Sequence, residues 1–284
     1  MVASLQYGIT AMCAIASVAA SPTNHDIPRS AAALSAPNGR KAGSAGGRAV
    51  PFWKDHLGWW YDWTPKPSGH DKDGVLGVSM LWGSGNNGDQ DAKRLKDFKD
   101  LKETPKYLLG FNEPDCSARD VSSHISVKDA VPLWNKYIVP EANNGSIVGS
   151  PSMCTQKDES WLNDFNKQAL DKSWDFTAIH VYKLNMTGVQ ADIDHYWNKY
   201  KKPIWVTEFG CVDDQNGFKA CTDQKVINQW IRDAVDLFEK NEHILAYAYT
   251  DGGGLGKAWL PTNNDGTTLS ESGKTYLDAI SKYH

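Results

Sequence analysis

Two glutamates are delivered by the chain in the same setting. Lys106 to Asp115 reads KYLLGFNEPD, in which Tyr107, Leu108, Leu109, Gly110 and Phe111 run into Asn112, Glu113 and Pro114. A run that short and apolar reads as a strand buried on both faces. Pro114 lacks a donor for the ladder and ends it. Pro203 to Gly210 reads PIWVTEFG, again a buried strand, and is expected to bring Glu208 to its C-terminal end. Either glutamate alone could simply begin a solvated loop; the repetition of the setting argues otherwise. Parallel α/β proteins keep their chemistry at the C-terminal ends of strands. Two carboxylates facing across such a mouth fit glycoside hydrolysis: one protonates the leaving oxygen, the other attacks the anomeric carbon or activates a water.

The elements needed to hold that pair alternate along the chain. Strands are expected at Gly58 to Trp63, Val75 to Trp82, Tyr107 to Asn112, Ile147 to Ser152, Phe176 to Tyr182, Ile204 to Glu208 and Leu245 to Thr250, with a doubtful eighth at Thr267 to Leu269. Helical spacing fills the gaps, most plainly from Asp223 to Lys240, where Val226, Ile227, Trp230, Ile231, Ala234, Leu237 and Phe238 form one stripe. Strand–helix alternation implies a parallel sheet with right-handed crossovers. About eight strands suit a single (β/α)8 TIM barrel. An open doubly wound sheet is the alternative, but no Gly-rich fingerprint follows the first strand. Glu113 and Glu208 then end strands three apart, nearly across the barrel mouth.

Other rim residues could serve a sugar. Asn112 adjoins Glu113. In Phe176 to Tyr182, alternation turns His180 and Tyr182 into the mouth if Ile179 and Val181 face the helices. Trp60, Tyr61 and Trp63 end the first strand and Trp82 the second. Tyr249 ends the seventh, and Trp259 follows the glycine-rich loop Gly252 to Gly256. Each is either a platform for a sugar ring or plain packing. Asp115 reads as a loop cap; Asp251 also lies near the rim.

Composition narrows the function classes. All twelve Trp lie after residue 50, which favours carbohydrate as the ligand class. The net charge is −4 and no Lys/Arg cluster forms a face, so no nucleic-acid partner is expected. Ile9 to Ala20, with Val18-Ala19-Ala20 before Ser21, reads as a secretory signal over residues 1–20, although no Lys or Arg precedes the apolar run. It is too short to span a bilayer. Residues 21–50, rich in Ala, Ser, Gly, Pro and Asn, read as a disordered linker in which Arg40-Lys41 and Arg48 could be processing sites. Residues 51–284 form the expected catalytic domain. Beyond Cys13 four cysteines remain, and the favoured pairing is Cys116–Cys154 with Cys211–Cys221, both on the rim. No tight Cys or His spacing points to zinc, and no metal or cofactor is expected. Asn144-Gly145-Ser146 and Asn185-Met186-Thr187 are glycosylation sequons.

Taken in order, LLGFNEPD, the Ser150 to Ser152 segment SPS, IHVY at Ile179 to Tyr182, and PIWVTEFG resemble glycoside hydrolase family 128. WWYDWTP (Trp59 to Pro65) and SMLWG (Ser79 to Gly83) resemble its first two strands. The likeness covers roughly residues 50–284. It implies a small TIM barrel, a secreted or wall-associated endo-β-1,3-glucanase and a retaining mechanism. By position, Glu113 would be acid/base and Glu208 nucleophile, while Asn112, His180, Tyr182 and the rim aromatics would bind β-1,3-glucan. A monomer without a membrane anchor is expected. Two positions depart from the pattern: Asp62 stands where the family has Asn, and Tyr249 where Trp is usual. Two rival readings stay open. One is a non-catalytic or transglycosylating wall-glucan binder; the other is a glycosidase of a different β-glucan linkage.

Overall fold

The computed structural model describes residues 34–155, 160–168 and 170–284. The expected signal sequence and residues 21–33 of the expected linker lie outside these. The first strand, β1 (Ala42–Ala45), lies within the segment read as linker and is buried throughout. It is followed by a short helix, α1 (Val50–Trp53), and by β2 (Trp59–Tyr61). The expected strand from Val75 to Trp82 is two short pieces, β3 (Leu76–Gly77) and β4 (Ser79–Met80). Then come α2 (Asp89–Lys99), β5 (Tyr107–Leu109), and α3 (Val127–Leu133), which runs through a π turn into α4 (Val139–Asn143). They are followed by β6 (Ile147–Val148), α5 (Ser160–Asn166), β7 (Thr177–Lys183) and α6 (Met186–Tyr200). The chain closes with β8 (Ile204–Asp213), β9 (Lys219–Ala220), α7 (Gln224–Lys240), β10 (Ile244–Thr250) and α8 (Glu271–Ile280).

The strands form a ring. One sheet runs β3-β2-β1-β10-β8-β7, the other β4-β5-β6, all parallel within these paths. A bridge between Gly149 and Phe176 and the bond from Ser150 N–H to Phe176 O link β6 to β7. The chain itself joins β3 to β4 through Val78. The result is a (β/α)8 barrel in which β3 and β4 share one position. The eighth strand is therefore β1, at the start. Residues Thr267 to Leu269 supply only an isolated bridge, between Thr262 and Leu269.

Why β1 reads as linker is a matter of space. Its sequence is Ala-Gly-Ser-Ala because the Trp59 indole leans across it; a Cβ on Gly43 would sit 2.5 Å from that ring. Trp59 Nε1 donates to Lys41 O, and the Tyr276 hydroxyl donates to Gly43 O. Lys41, a candidate processing site by sequence, donates its ammonium to the carbonyls of Phe238, Glu239 and Asn241 and so caps the C-terminus of α7.

The core has two layers. Inside the barrel, Trp59, Tyr61, Met80, Trp82, Tyr107, Leu109, Phe176 and Trp205 fill the lumen. Trp205 stacks on Phe176 at 4.2 Å between centroids. Outside it, Ile179, Val181, Val206 and Phe209 meet the helices, including the α7 stripe Ile227, Trp230, Ile231, Ala234 and Phe238. Ser126, Asn185, Asp223 and Ser270 accept backbone N–H groups as N-caps and so start α3, α6, α7 and α8. Among the described residues no helix is long and apolar enough to cross a membrane.

Candidate active site

Counted round the ring, Glu113 follows the fourth barrel position and Glu208 lies on the seventh. Glu208 is not at a strand terminus, however. β8 continues past it to Asp213, because the strand rises above the barrel lip and turns back antiparallel to β9. Glu113 lies four residues beyond β5, in left-handed backbone with φ 49°. Its N–H donates to Ser152 O, and Asn112 bridges to Ser152, so the two loops hold it jointly. Sparsely populated backbone at a bulky residue gathers at functional sites.

His180 lies between the two carboxylates. Its Nδ1 is 2.9 Å from Glu113 Oε1, and its Nε2 is 3.5 Å from Glu208 Oε1. The imidazole is fully buried. Burial works against its cationic form, but the charge of Glu208, the hydrogen bond to Glu113 and the charges of Glu113 and Asp115 outweigh that and hold it above its ordinary 6.5. Glu113 also accepts from the Ser122 hydroxyl at 2.9 Å.

Donors surround Glu208. Trp63 Nε1 reaches Oε1 at 2.9 Å and the Tyr61 hydroxyl reaches it at 3.4 Å. The hydroxyls of Tyr182 and Thr250 reach Oε2 at 2.5 and 3.3 Å. Burial, then the negative charge of Glu208, pushes both tyrosines well above their usual range, so they stay as O–H donors. A buried carboxylate supplied with donors in this way is held in one orientation.

The pair opens into a cleft of about 580 Å³, within the span of small-molecule sites. Trp63, Trp82, Arg94, Asn112, Tyr182, Phe218 and the Gly252–Gly254 loop line it. The Oδ1 of Asn112 is buried beside the cleft without a hydrogen-bond partner. Asp115 caps the neighbouring loop as expected, accepting from the N–H groups of Cys154 and Thr155. Both favoured disulfides are formed, Cys116–Cys154 and Cys211–Cys221. The first joins the loops beside Glu113; the second closes the hairpin that carries Phe218.

The structure brings together Glu113, Glu208, Asn112, His180, Tyr182, Tyr61, Trp63 and Trp82. It separates three expected subsite aromatics. Trp60 points outward and meets His70 edge-on at 4.6 Å, because its neighbours Trp59 and Tyr61 take the inward positions. Tyr249 and Trp259 stack on each other at 4.7 Å, both buried in the outer layer, with the Tyr249 hydroxyl spent on Trp259 O. Trp82 faces the cleft, but Arg94 covers its ring at 4.6 Å. The sequon asparagines are exposed, Asn144 at the end of α4 and Asn185 as the N-cap of α6. Sequence reasoning missed Ser122, Thr250, Arg94 and Phe218. Phe218 carried a signal: a lone aromatic in a polar turn between two cysteines, here 55% exposed.

Asp251 follows β10 and packs against the turn at Gly46. Gly46 has φ +109°, and a Cβ there would lie 1.8 Å from the Asp251 carboxylate. Burial pushes Asp251 up to about 6; the Arg48 N–H and charge oppose this, and Glu208 adds to it.

Over 88% of this chain and 96% of the other, the structure superposes with TM-score 0.86 and 65% identity on a GH128 subgroup VII oligosaccharide-binding protein from Trichoderma gamsii. Over the same shares it superposes with TM-score 0.84 and 50% identity on the corresponding protein from Cryptococcus neoformans. A GH128 subgroup II endo-β-1,3-glucanase from Sorangium cellulosum aligns at 25% identity and TM-score 0.67, over 84% and 98% of the two chains. Alkali-sensitive linkage protein 1 of Schizosaccharomyces pombe (strain 972 / ATCC 24843) is 31% identical over 164 residues; the match takes in 56% of this chain and 28% of that protein's length. Residues 43–276, which hold both glutamates and nearly all of the barrel, match the family described as glycosyl hydrolase catalytic core, and this chain belongs to that family.

Proposed function

We propose that the cleft binds β-1,3-linked gluco-oligosaccharides. The observation that carries this is the cleft itself, where aromatic walls, an unpaired Asn112 Oδ1 and two fixed carboxylates match the alternating apolar faces and hydroxyl edges of a glucan. The oligosaccharide-binding proteins at 65% and 50% identity support binding, and the β-1,3-glucanase at 25% supports the linkage. Two disulfides support a protein that folds in an oxidising compartment, in keeping with secretion. Calorimetric titration with laminari-oligosaccharides tests the proposal; saturable binding is the expected result.

A second reading, hydrolysis, is favoured by one specific observation: both glutamates are present and a single imidazole links them. In this reading Glu208 attacks the anomeric carbon to give a glycosyl ester while Glu113 protonates the departing oxygen. Glu113 then takes a proton from the water that releases the sugar with retained configuration. His180 Nδ1 holds Glu113 Oε1, and the Ser122 hydroxyl donates to Oε2, so both oxygens of the proposed acid are fixed in place. Reducing ends released from a linear β-1,3-glucan, and absent with Glu208→Gln, are the expected signature. Saturable binding without release would leave the chain a binding protein.

A further inference from the structure

Among the described residues that line the cleft, the one Lys or Arg is Arg94, which touches neither of the paired glutamates. It stands on α2 and reaches the wall beside Trp82, where its guanidinium carbon lies 4.6 Å from the centre of the indole. Among the described residues it makes no hydrogen bond and no ion pair, and its Nη1 is buried without a partner. The acids whose charge reaches it are Asp91, Asp62 and Asp120; each accepts hydrogen bonds elsewhere, although Asp91 on the same helix keeps its Oδ1 buried and unpaired. Asp62 accepts from the N–H and hydroxyl of Thr64, Asp91 from Asn87 N–H, and Asp120 from Gln90 N–H. Leaving a charged donor half-buried and unsatisfied is costly, and such a group calls for a partner. Its surroundings hold it in place while leaving it unpaired: the indole occupies one face and the N–H edge remains for oxygen atoms.

We propose that Arg94 is a sugar-binding residue that grips the hydroxyl oxygens of the glucosyl unit beside Trp82. The inference rests on the glucan-binding reading of the cleft. The guanidinium only donates, so it selects acceptor lone pairs. It replaces the apolar stacking surface that Trp82 would otherwise offer. This end of the cleft therefore recognises the hydroxyl edge of the sugar, while Phe218 at the lip offers an apolar face. Arg94 stays charged throughout the working pH range, so its contribution is flat with pH.

The test is calorimetry of the full-length protein with laminarihexaose, comparing wild type with Arg94→Ala and Arg94→Lys, alongside thermal melts of all three. Arg94→Ala is expected to weaken binding about ten- to a hundredfold, the range of lost hydrogen bonds to a charged group. Arg94→Lys is expected to recover only a small part, because it keeps the charge and loses the fork. A purely structural arginine gives the opposite pattern, a lower Tm with affinity unchanged, and that result overturns the inference. Full recovery by Arg94→Lys overturns the claim that fork geometry matters. If the wild type itself shows no saturable binding, the glucan reading fails and this inference fails with it. Wild-type binding with an unaltered Arg94→Ala defeats this inference alone.

Discussion

Replacing Asp251 by Asn should stabilise the protein at neutral pH and leave it nearly unchanged at pH 4. The carboxyl is pushed from its ordinary 3.8 to about 6, chiefly by burial against the Gly46 turn, with Glu208 adding to the cost of its charge. Because the native value lies above the unfolded one, the folded chain holds this proton more tightly. Stability from this group is therefore greatest below about pH 4 and declines as pH rises from about 4 to about 6. At 1.36 kcal/mol per pH unit, the loss by pH 7 is up to about 3 kcal/mol. Asn has the same shape, keeps an acceptor for the Arg48 N–H and has no charge to desolvate. In a domain of this size each kcal/mol moves Tm by about 2–4 °C, so Asp251→Asn should melt about 5–10 °C above wild type at pH 7.5. Melts followed by circular dichroism at pH 4, 5, 6 and 7.5 give the whole curve. A constant offset at every pH, or a variant less stable than wild type at pH 7.5, would refute the reasoning.

Three further outcomes follow from the same geometry. Gly43→Ala places a methyl against the Trp59 indole and should cost about 1–3 kcal/mol through overpacking, read as a lower Tm; an unchanged Tm would show that β1 has slack. Removing the hairpin disulfide with Cys211→Ser and Cys221→Ser opens a short loop and should cost about 2–3 kcal/mol, with weaker oligosaccharide binding because Phe218 loses its fixed place. If bound glucan is cleaved, Glu208→Gln and Glu113→Gln should each remove most release of reducing ends while affinity persists, and near-normal release from either variant would exclude that residue from the chemistry.

Much of the site was legible because its residues sit on strands whose apolar runs announce them. The parity of IHVY put His180 and Tyr182 on the inner side, and both now contact the glutamates. At WWY two adjacent indoles offered no sign of which one enters the barrel. Trp59 fills the lumen, and Trp60 packs outward. β1 was hidden for the reason that makes it work: a strand beneath a tryptophan must be small, and small residues read as linker. Arg94 and Ser122 come from helix and loop segments whose approach to the mouth is set only by tertiary packing, so no local pattern could place them. The length of β8 escaped notice because the hairpin past Glu208 depends on pairing with Lys219 and Ala220, across a polar turn.

The most direct test of the account is a calorimetric comparison of laminarihexaose with cellohexaose on the wild-type protein. The cleft is proposed to read a β-1,3-linked chain, so the first should bind saturably at one site. The second should bind at least about tenfold more weakly, the 1.4 kcal/mol that one misplaced hydrogen-bonding edge is worth. Equal affinity for the two, or no binding of laminarihexaose, would contradict it.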